Sequence, residues 1–244
     1  MLTARLVTTL AGARKDKDAE PCIEEKLGFK VELDPVSPYD RAVSMKSGKN
    51  CRVFLNNPLG TGPLRCESWF EAQCAIYLMS RRDVVDVSCQ YEVEYAQGNF
   101  HYFDFRVTYK SGLIRLLAAR PARLDRYGKL AEKLELIRNY SLRQHADKCG
   151  IMTDELVTKA VFLRSAEILR ARSLKNQENC NRMQSLLSRM NEVIKVSDLL
   201  QEFGNIGAAR TAMWNLIDEG VLAHACSRPD RMKMTDVSFL RQCA

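Results

Sequence analysis

Two acidic residues stand among apolar neighbours, and their side chains are the first candidates for chemistry. Glu71 ends the run Ser68-Trp69-Phe70-Glu71, and Asp104 lies between the aromatic residues of HYFDFRV. Carboxylate oxygens that converge on one point hold divalent cations such as Mg²⁺ or Mn²⁺, and the cation lowers the pKa of a bound water. We therefore take Glu71 and Asp104 as the candidate catalytic residues and metal ligands.

The run that contains Glu71 also has a purely structural interpretation. Ser-x-x-Glu at the start of a helix is a capping box, in which the glutamate bonds back to the amide of the serine. Asp104 has less reason to be a solvated surface residue, because aromatic residues flank it on a predicted strand. The two positions together favour a shared site, and the capping role of Glu71 stays open beside it.

The elements that must position these acids follow one another closely. Apolar spacing predicts a helix from about Ser68 to Arg81 and another from Asp125 to about His145, and a further helix ends at Arg172. Alternation bounded by turn residues predicts the strands. They are expected at 84–87, 89–95, 101–108, 113–119 and 149–153. This order predicts an α/β fold in which helices flank a mixed sheet.

The same order resembles that of the PD-(D/E)xK, or restriction-endonuclease-like, nucleases, and within them the TnsA-type endonucleases that cut at transposon ends. Four short motifs carry the resemblance, which covers about residues 50 to 170: Ser68-Trp69-Phe70-Glu71, Gln90, Phe103-Asp104-Phe105 and Ala118-Ala119-Arg120-Pro121. The resemblance implies a restriction-endonuclease-like core, DNA as the substrate, and Mg²⁺ or Mn²⁺ as the cofactor of an active enzyme. It also implies a separate transposase and an ATP-dependent regulator as partners.

The last motif departs from the Glu/Gln-x-Lys that the family carries. Ala118 has no ligand atom, and Arg120 keeps its proton and presents a planar fork. One hypothesis is therefore a metal-dependent DNA endonuclease in which Arg120 holds the phosphate. The alternative is a catalytically inactive pseudo-nuclease that serves as a DNA-binding or assembly subunit, and a transcriptional regulator is a third interpretation.

The C-terminal part of the chain predicts a winged helix-turn-helix. A helix, the Gly204–Gly207 turn, a second helix at 208–219 closed by Gly220, and a hairpin of strands at 221–225 and 231–234 follow in order. The residues expected to face DNA are Arg210, Thr211 and Asn215 on the second helix and Arg228 and Arg231 on the wing. The predicted division is an arm at 1–48, the nuclease-like domain at 49–172 and the winged-helix domain at 173–244.

The charge of the chain favours a polyanionic partner. The net charge is +7, and residues 106–143 contain ten Lys/Arg against three acids, an excess of seven. A basic zone of this kind suits DNA, and a solvated helix face with long side chains is the alternative. Arg123 and Arg126 are its candidate DNA contacts.

Cysteine usage and hydropathy predict the compartment. The nine cysteines include no C-x-x-C pair, so we expect reduced thiols in the cytoplasm rather than a zinc site or disulfides. No apolar run approaches the ~20 residues of a membrane span. A soluble protein is expected, and association of several copies of the chain stays open.

Overall fold

The computed structural model describes residues 52–60, 62–96, 98–124 and 128–243. The predicted arm at 1–48 lies outside these ranges. The chain divides into two compact units: unit 1 comprises the residues up to Ala75 together with Asp83–Met152, and unit 2 comprises Ile76–Arg82 together with Thr153–Ala244. No helix of the described ranges is long and apolar enough to cross a membrane.

Unit 1 is built on a four-stranded mixed sheet. Its elements are β1 (Val53–Leu55), β2 (Leu64–Cys66), α1 (Trp69–Ser80), β3 (Val84–Ala96), β4 (Asn99–Tyr109), β5 (Ile114–Ala119), α2 (Lys129–Tyr140) and β6 (Lys148–Met152). The sheet order is β3-β4-β5-β6, while β1 and β2 form a separate antiparallel pair. Strands β3, β4 and β5 are antiparallel, and β6 runs parallel to β5. The prediction of a mixed sheet flanked by helices is confirmed.

Alternation along β4 explains how the sheet holds its core. Phe103, Phe105 and Val107 are buried, and the residues between them are partly exposed. Leu134 and Ile137 of α2 pack into the same apolar cluster as Phe103. Because one face of β4 is buried, the register of the strand is fixed: a slip by one residue would expose the phenylalanines.

Two predicted boundaries in unit 1 are wrong. The strands expected at 84–87 and 89–95 are one strand of 13 residues, β3. The helix expected from Asp125 spans only Lys129–Tyr140, because Gly128 precedes it with a φ of 65° and Ser141 ends it. A single turn of 3₁₀ helix, Leu142–Gln144, then leads towards β6.

Unit 2 is mostly helical and contains a small antiparallel sheet. Its elements are the end of α1, then α3 (Lys159–Ser173), α4 (Gln177–Leu187), β7 (Val193–Lys195), α5 (Val196–Phe203), α6 (Ile206–Asp218), β8 (Leu222–His224) and β9 (Phe239–Gln242). The sheet order is β7-β9-β8. Helix α6 begins at Ile206 and not at 208 as predicted, because Asn205 caps it: the Asn205 side chain accepts a hydrogen bond from Ala208 N. As predicted, Gly220 follows the helix, with a φ of 78°.

The predicted strand at 231–234 is wrong, and the chain pairs later. Strand β9 uses Leu240, which is fully buried and lies opposite Ile194 of β7 and His224 of β8. Met232, in the predicted segment, is 52% exposed. Burial of Leu240 in the core of unit 2 therefore decides which segment forms the strand.

The boundary between the units precedes the predicted one at 173. Helix α3 belongs to unit 2, since Ala171 is fully buried in its apolar cluster. Arg172 Nη2 also lies 2.7 Å from Asp218 Oδ1 at the end of α6. The polar segment that follows α3 is thus a connection inside unit 2 and not a domain linker.

Candidate functional site

Asp104 occupies the centre of the sheet of unit 1, where three strands lie side by side. Its neighbours Phe103 and Phe105 pair with β3, and Phe105 also pairs with β5, so Gln90 and Ala118 are the residues across from Asp104. Gln90 is 4% exposed and has a φ of 58°, the one positive φ of a non-glycine residue in the described ranges. Such a conformation persists only where the surroundings impose it, and it is frequent at functional sites.

Glu71 lies in the first turn of α1, and both oxygens of its carboxylate accept hydrogen bonds. Glu67 N donates to Oε2 at 2.7 Å, and the Ser68 hydroxyl donates to Oε1 at 2.9 Å. Glu71 N in turn donates to Ser68 Oγ at 3.1 Å. The serine side of the capping box is present, whereas the predicted bond from the Ser68 amide to Glu71 is replaced by bonds from the Glu67 amide and the Ser68 hydroxyl.

The carboxylate of Asp104 also bonds to the main chain. Ala119 N donates to Asp104 Oδ2 at 2.6 Å. The pairing of β4 with β5 ends at Phe105 and Leu117, so the side chain of Asp104 satisfies an amide at the end of that ladder. Bonds of this kind to a charged acceptor are short and strong.

The two carboxyl groups interact electrostatically. Burial and, after it, the charge of Glu71 raise the pKa of Asp104 to about 7, although the Ala119 amide and Arg120 act in the opposite direction. Burial likewise raises the pKa of Glu71, against the hydrogen bonds from Glu67 and Ser68. At neutral pH the pair therefore carries less than two full negative charges.

The last of the four motifs, at the end of β5, offers no acidic ligand to the site. Ala118 is 4% exposed, packs in the apolar cluster with Leu116 and has no ligand atom. Arg120 is exposed, and its main-chain N donates to Met152 O at 2.9 Å. No group of three or more His, Cys, Asp or Glu residues within the described ranges is arranged to hold a metal ion. Three of the four oxygens of the acid pair accept one hydrogen bond each, and within the described residues no third acidic ligand joins them.

Three cysteine thiols lie close to the acid pair, which sequence reasoning missed. Cys66, Cys74 and Cys89 are all buried. Burial raises the pKa of Cys74, as do the charges of Asp104 and Glu71; a hydrogen bond with Cys89, together with burial, raises the pKa of Cys66. The thiols of Cys66 and Cys74 therefore stay protonated, and all three side chains add apolar surroundings to the carboxylates. Their position among apolar residues was visible in the sequence, but their proximity to the acids was not.

His101 is a second residue near the site whose role the sequence did not show. Its ring lies 4.7 Å from that of Phe103 in an edge arrangement, and its Nε2 is buried without a hydrogen-bond partner. Burial and, after it, the charges of Lys133 and Arg120 together lower the pKa of His101 to about 4. His101 is therefore neutral at physiological pH.

In unit 2, the predicted groove residues of α6 are engaged in local contacts. Arg210 Nη2 lies 2.6 Å from Asp236 Oδ1, and the Arg210 side chain is 39% exposed. The Thr211 hydroxyl donates to Gly207 O at 3.1 Å. Arg210 remains accessible to a ligand that can compete with Asp236.

Asn215 does not face a groove, and its predicted DNA contact is wrong. The residue is 2% exposed. Its Nδ2 donates to Ala171 O at 3.0 Å and to Thr211 O at 2.9 Å. Helix α3 therefore covers the part of α6 that carries Asn215, and the amide serves packing.

The arginines between β8 and β9 are the most accessible of the predicted contacts. Arg228 and Arg231 side chains are 61% and 68% exposed, and the Nε of each lies 3.7 Å from a carboxylate oxygen of Asp230. In unit 1, Arg123 is exposed in a 3₁₀ turn. Arg126 lies outside the described residues.

Comparison of the whole chain with known proteins adds no relative. No family model matches the chain, and no curated protein matches it. The class that the structure defines is a mixed α/β protein in which helices flank a mixed sheet.

Proposed function

We propose that the protein binds DNA through a nuclease-like scaffold whose acid pair is structural, so that it acts as a pseudo-nuclease and not as a cutting enzyme. The observation that carries the proposal is that the two carboxylates accept hydrogen bonds from the chain. Both oxygens of Glu71 and Oδ2 of Asp104 accept hydrogen bonds from the chain itself. Three of the four carboxylate oxygens are thus shared with donors of the chain, and Ala118 supplies no third ligand to a divalent cation.

The order of elements supports the nuclease-like scaffold. In unit 1, helix α1, the antiparallel strands β3, β4 and β5, helix α2 and the parallel strand β6 follow one another. This is the succession on which the resemblance to TnsA-type endonucleases rests. In unit 2, the order helix, strand, two helices and two strands, with sheet order β7-β9-β8, is consistent with a winged helix.

Charge supports DNA as the partner. The chain carries a net charge of +7, and Arg228 and Arg231 expose most of their side chains. A protein that neutralises phosphates releases counterions, and its affinity falls as salt rises. In the family that the chain resembles, such a subunit would work beside a transposase and an ATP-dependent regulator, and these are the protein partners that we propose.

A Mg²⁺-dependent endonuclease is the second candidate, and one observation favours it. Glu71 raises the pKa of Asp104, and Arg120 acts on both groups, so two carboxylates and a cation lie close together. Clusters with perturbed pKa values are frequent at catalytic sites. This candidate requires a cation to use the lone pairs that the hydrogen bonds from Glu67 and Ser68 leave free on Glu71.

Two measurements on the same protein separate the candidates. Fluorescence anisotropy of a labelled duplex, titrated at several salt concentrations, measures DNA binding. We expect the logarithm of the binding constant to fall by about 0.9 per phosphate contact for each tenfold rise in salt concentration. Incubation of the same duplex in Mg²⁺ and in Mn²⁺ measures cleavage, with Asp104→Asn as the control. Binding without cleavage supports the pseudo-nuclease, cleavage lost in the control supports the endonuclease, and absence of binding at low salt refutes both.

A further inference from the structure

The loop between β8 and β9, residues 225–238, carries two exposed arginines on a well-defined turn. Arg231 N donates to Arg228 O at 3.0 Å, which closes a four-residue turn. Pro229 and Asp230 are its central residues, and a proline in the second position sets the φ that common turns require. Arg228 and Arg231 therefore stand at the two ends of the turn, with the Asp230 carboxylate 3.7 Å from each Nε.

Side chains of α3 and of its N-cap donate hydrogen bonds to the carbonyl oxygens of the two central residues of the turn. Arg164 Nη2 donates to Pro229 O, and the Thr158 hydroxyl donates to Asp230 O. Thr158 is also the N-cap of α3, where it accepts a hydrogen bond from Val161 N at 3.2 Å. The two donors thus lie at the start of one rigid helix and fix consecutive peptide groups.

Arg164 differs from the arginines that it supports. It is partly buried, and burial lowers the pKa of its guanidinium, while the nearby Cys226 and Asp230 raise it. A guanidinium keeps its proton in proteins, so Arg164 donates a charge-assisted bond to Pro229 O. Its side chain is committed to the turn and is not presented to a ligand.

We propose that the turn 228–231 is a phosphate-contact site for DNA and that Arg164 is its positioning residue. The inference rests on the proposed DNA binding and names where that binding occurs in unit 2. A loop that is ordered before it binds loses less conformational entropy on binding. Arg164 fixes Pro229, so Arg228 and Arg231 are held in place before the DNA arrives.

A contact residue and a positioning residue give different salt dependences. Arg228→Gln removes a phosphate contact, so it should weaken binding and reduce the salt slope by about 1. Arg164→Gln frees the turn and touches no phosphate, so it should weaken binding about tenfold, the equivalent of ordering one or two side chains, and leave the slope unchanged. Arg170→Gln is the matched control, because Arg170 lies on the same helix and pairs only with Glu167 there.

Limited trypsin digestion reports on the turn without DNA. Trypsin does not cut before proline, so the Arg231–Met232 bond is the cleavage site that tests the turn. We expect faster cleavage there in Arg164→Gln than in the wild type or Arg170→Gln, because an anchored loop resists proteolysis. Thr158→Val removes the neighbouring anchor and should act in the same direction, while Thr158→Ser, which keeps the hydroxyl, should restore the wild-type rate.

The experiment is anisotropy with a labelled duplex over a salt series, run beside the digestion on the full chain. The expected result is lower affinity with an unchanged slope for Arg164→Gln and Thr158→Val, and a reduced slope for Arg228→Gln. Wild-type binding that Arg164→Gln and Thr158→Val leave unchanged overturns the positioning role alone. A wild-type protein that does not bind DNA overturns the proposed function and the phosphate site together.

Discussion

Replacing Asp104 with asparagine removes a charge from partly buried surroundings and leaves the shape of the side chain almost unchanged. Burial, with the charge of Glu71, raises the pKa of Asp104 from 3.8 to about 7. An asparagine carbonyl oxygen at the same place still accepts the hydrogen bond that Ala119 N donates to Oδ2. The substitution therefore separates the effect of the charge from that of the hydrogen bond.

The raised pKa sets the direction and the size of the effect. Below pH 3.8 the carboxyl group is protonated in the folded and the unfolded chain alike, so the charge does not affect stability. Between pH 3.8 and about 7 the unfolded chain has lost the proton that the folded chain retains, so the free energy of unfolding falls as pH rises. A pKa raised by about three units corresponds to a total loss of about 4 kcal/mol, complete above the folded pKa.

Urea unfolding of the wild type and of Asp104→Asn from about pH 4 to about pH 8 measures this loss. We expect the stability of the wild type to fall through the window relative to the variant. Asp147→Asn is the matched control: Asp147 is exposed, and its Oδ2 also accepts a hydrogen bond from an amide beside β5, Ile114 N at 2.8 Å. Parallel curves for the wild type and Asp104→Asn would refute a desolvated Asp104 beside Glu71.

Two further substitutions test the structural roles of single polar side chains. Ser68→Ala removes both hydrogen bonds between Ser68 and Glu71 and should lower the free energy of unfolding by about 1 kcal/mol in urea, which Ser68→Thr should recover; an unchanged midpoint would contradict the capping role. Asn215→Leu removes the side-chain donor of Ala171 O, which keeps its bond from Leu174 N, and should lower the free energy of unfolding by about 1 kcal/mol, with unchanged DNA affinity in the folded variant; lost affinity at full stability would instead place Asn215 in the DNA interface.

Local signals in the sequence predicted the parts of the fold that depend on near neighbours. The alternation around Asp104 identified β4, because aromatic residues two apart occupy one face of a strand. Gly220 marked the end of α6, since its φ of 78° favours glycine. The Ser-x-x-Glu pattern likewise announced the bonds of Glu71, which join residues at most four apart in sequence.

The remaining features depend on contacts between distant parts of the chain. Asn215 was predicted to face DNA, but it bonds to Ala171, 44 residues away in sequence. Arg164 and Pro229, which are 65 residues apart, carry no pattern that pairs them. The choice of β9 over the segment at 231–234 follows from which side chain fills the core of unit 2, and Leu240 does so.

The most direct test of the central claim is the nicking of supercoiled plasmid by the purified protein in Mn²⁺, beside Asp104→Asn. Mn²⁺ and Mg²⁺ prefer the same oxygen ligands. If Glu71 and Asp104 hold a catalytic metal ion, the protein should therefore cut DNA in Mn²⁺. The account predicts that the wild type shifts the plasmid in a gel and leaves it supercoiled, as the variant does. Open-circle product that appears with the wild type and disappears with Asp104→Asn would contradict it.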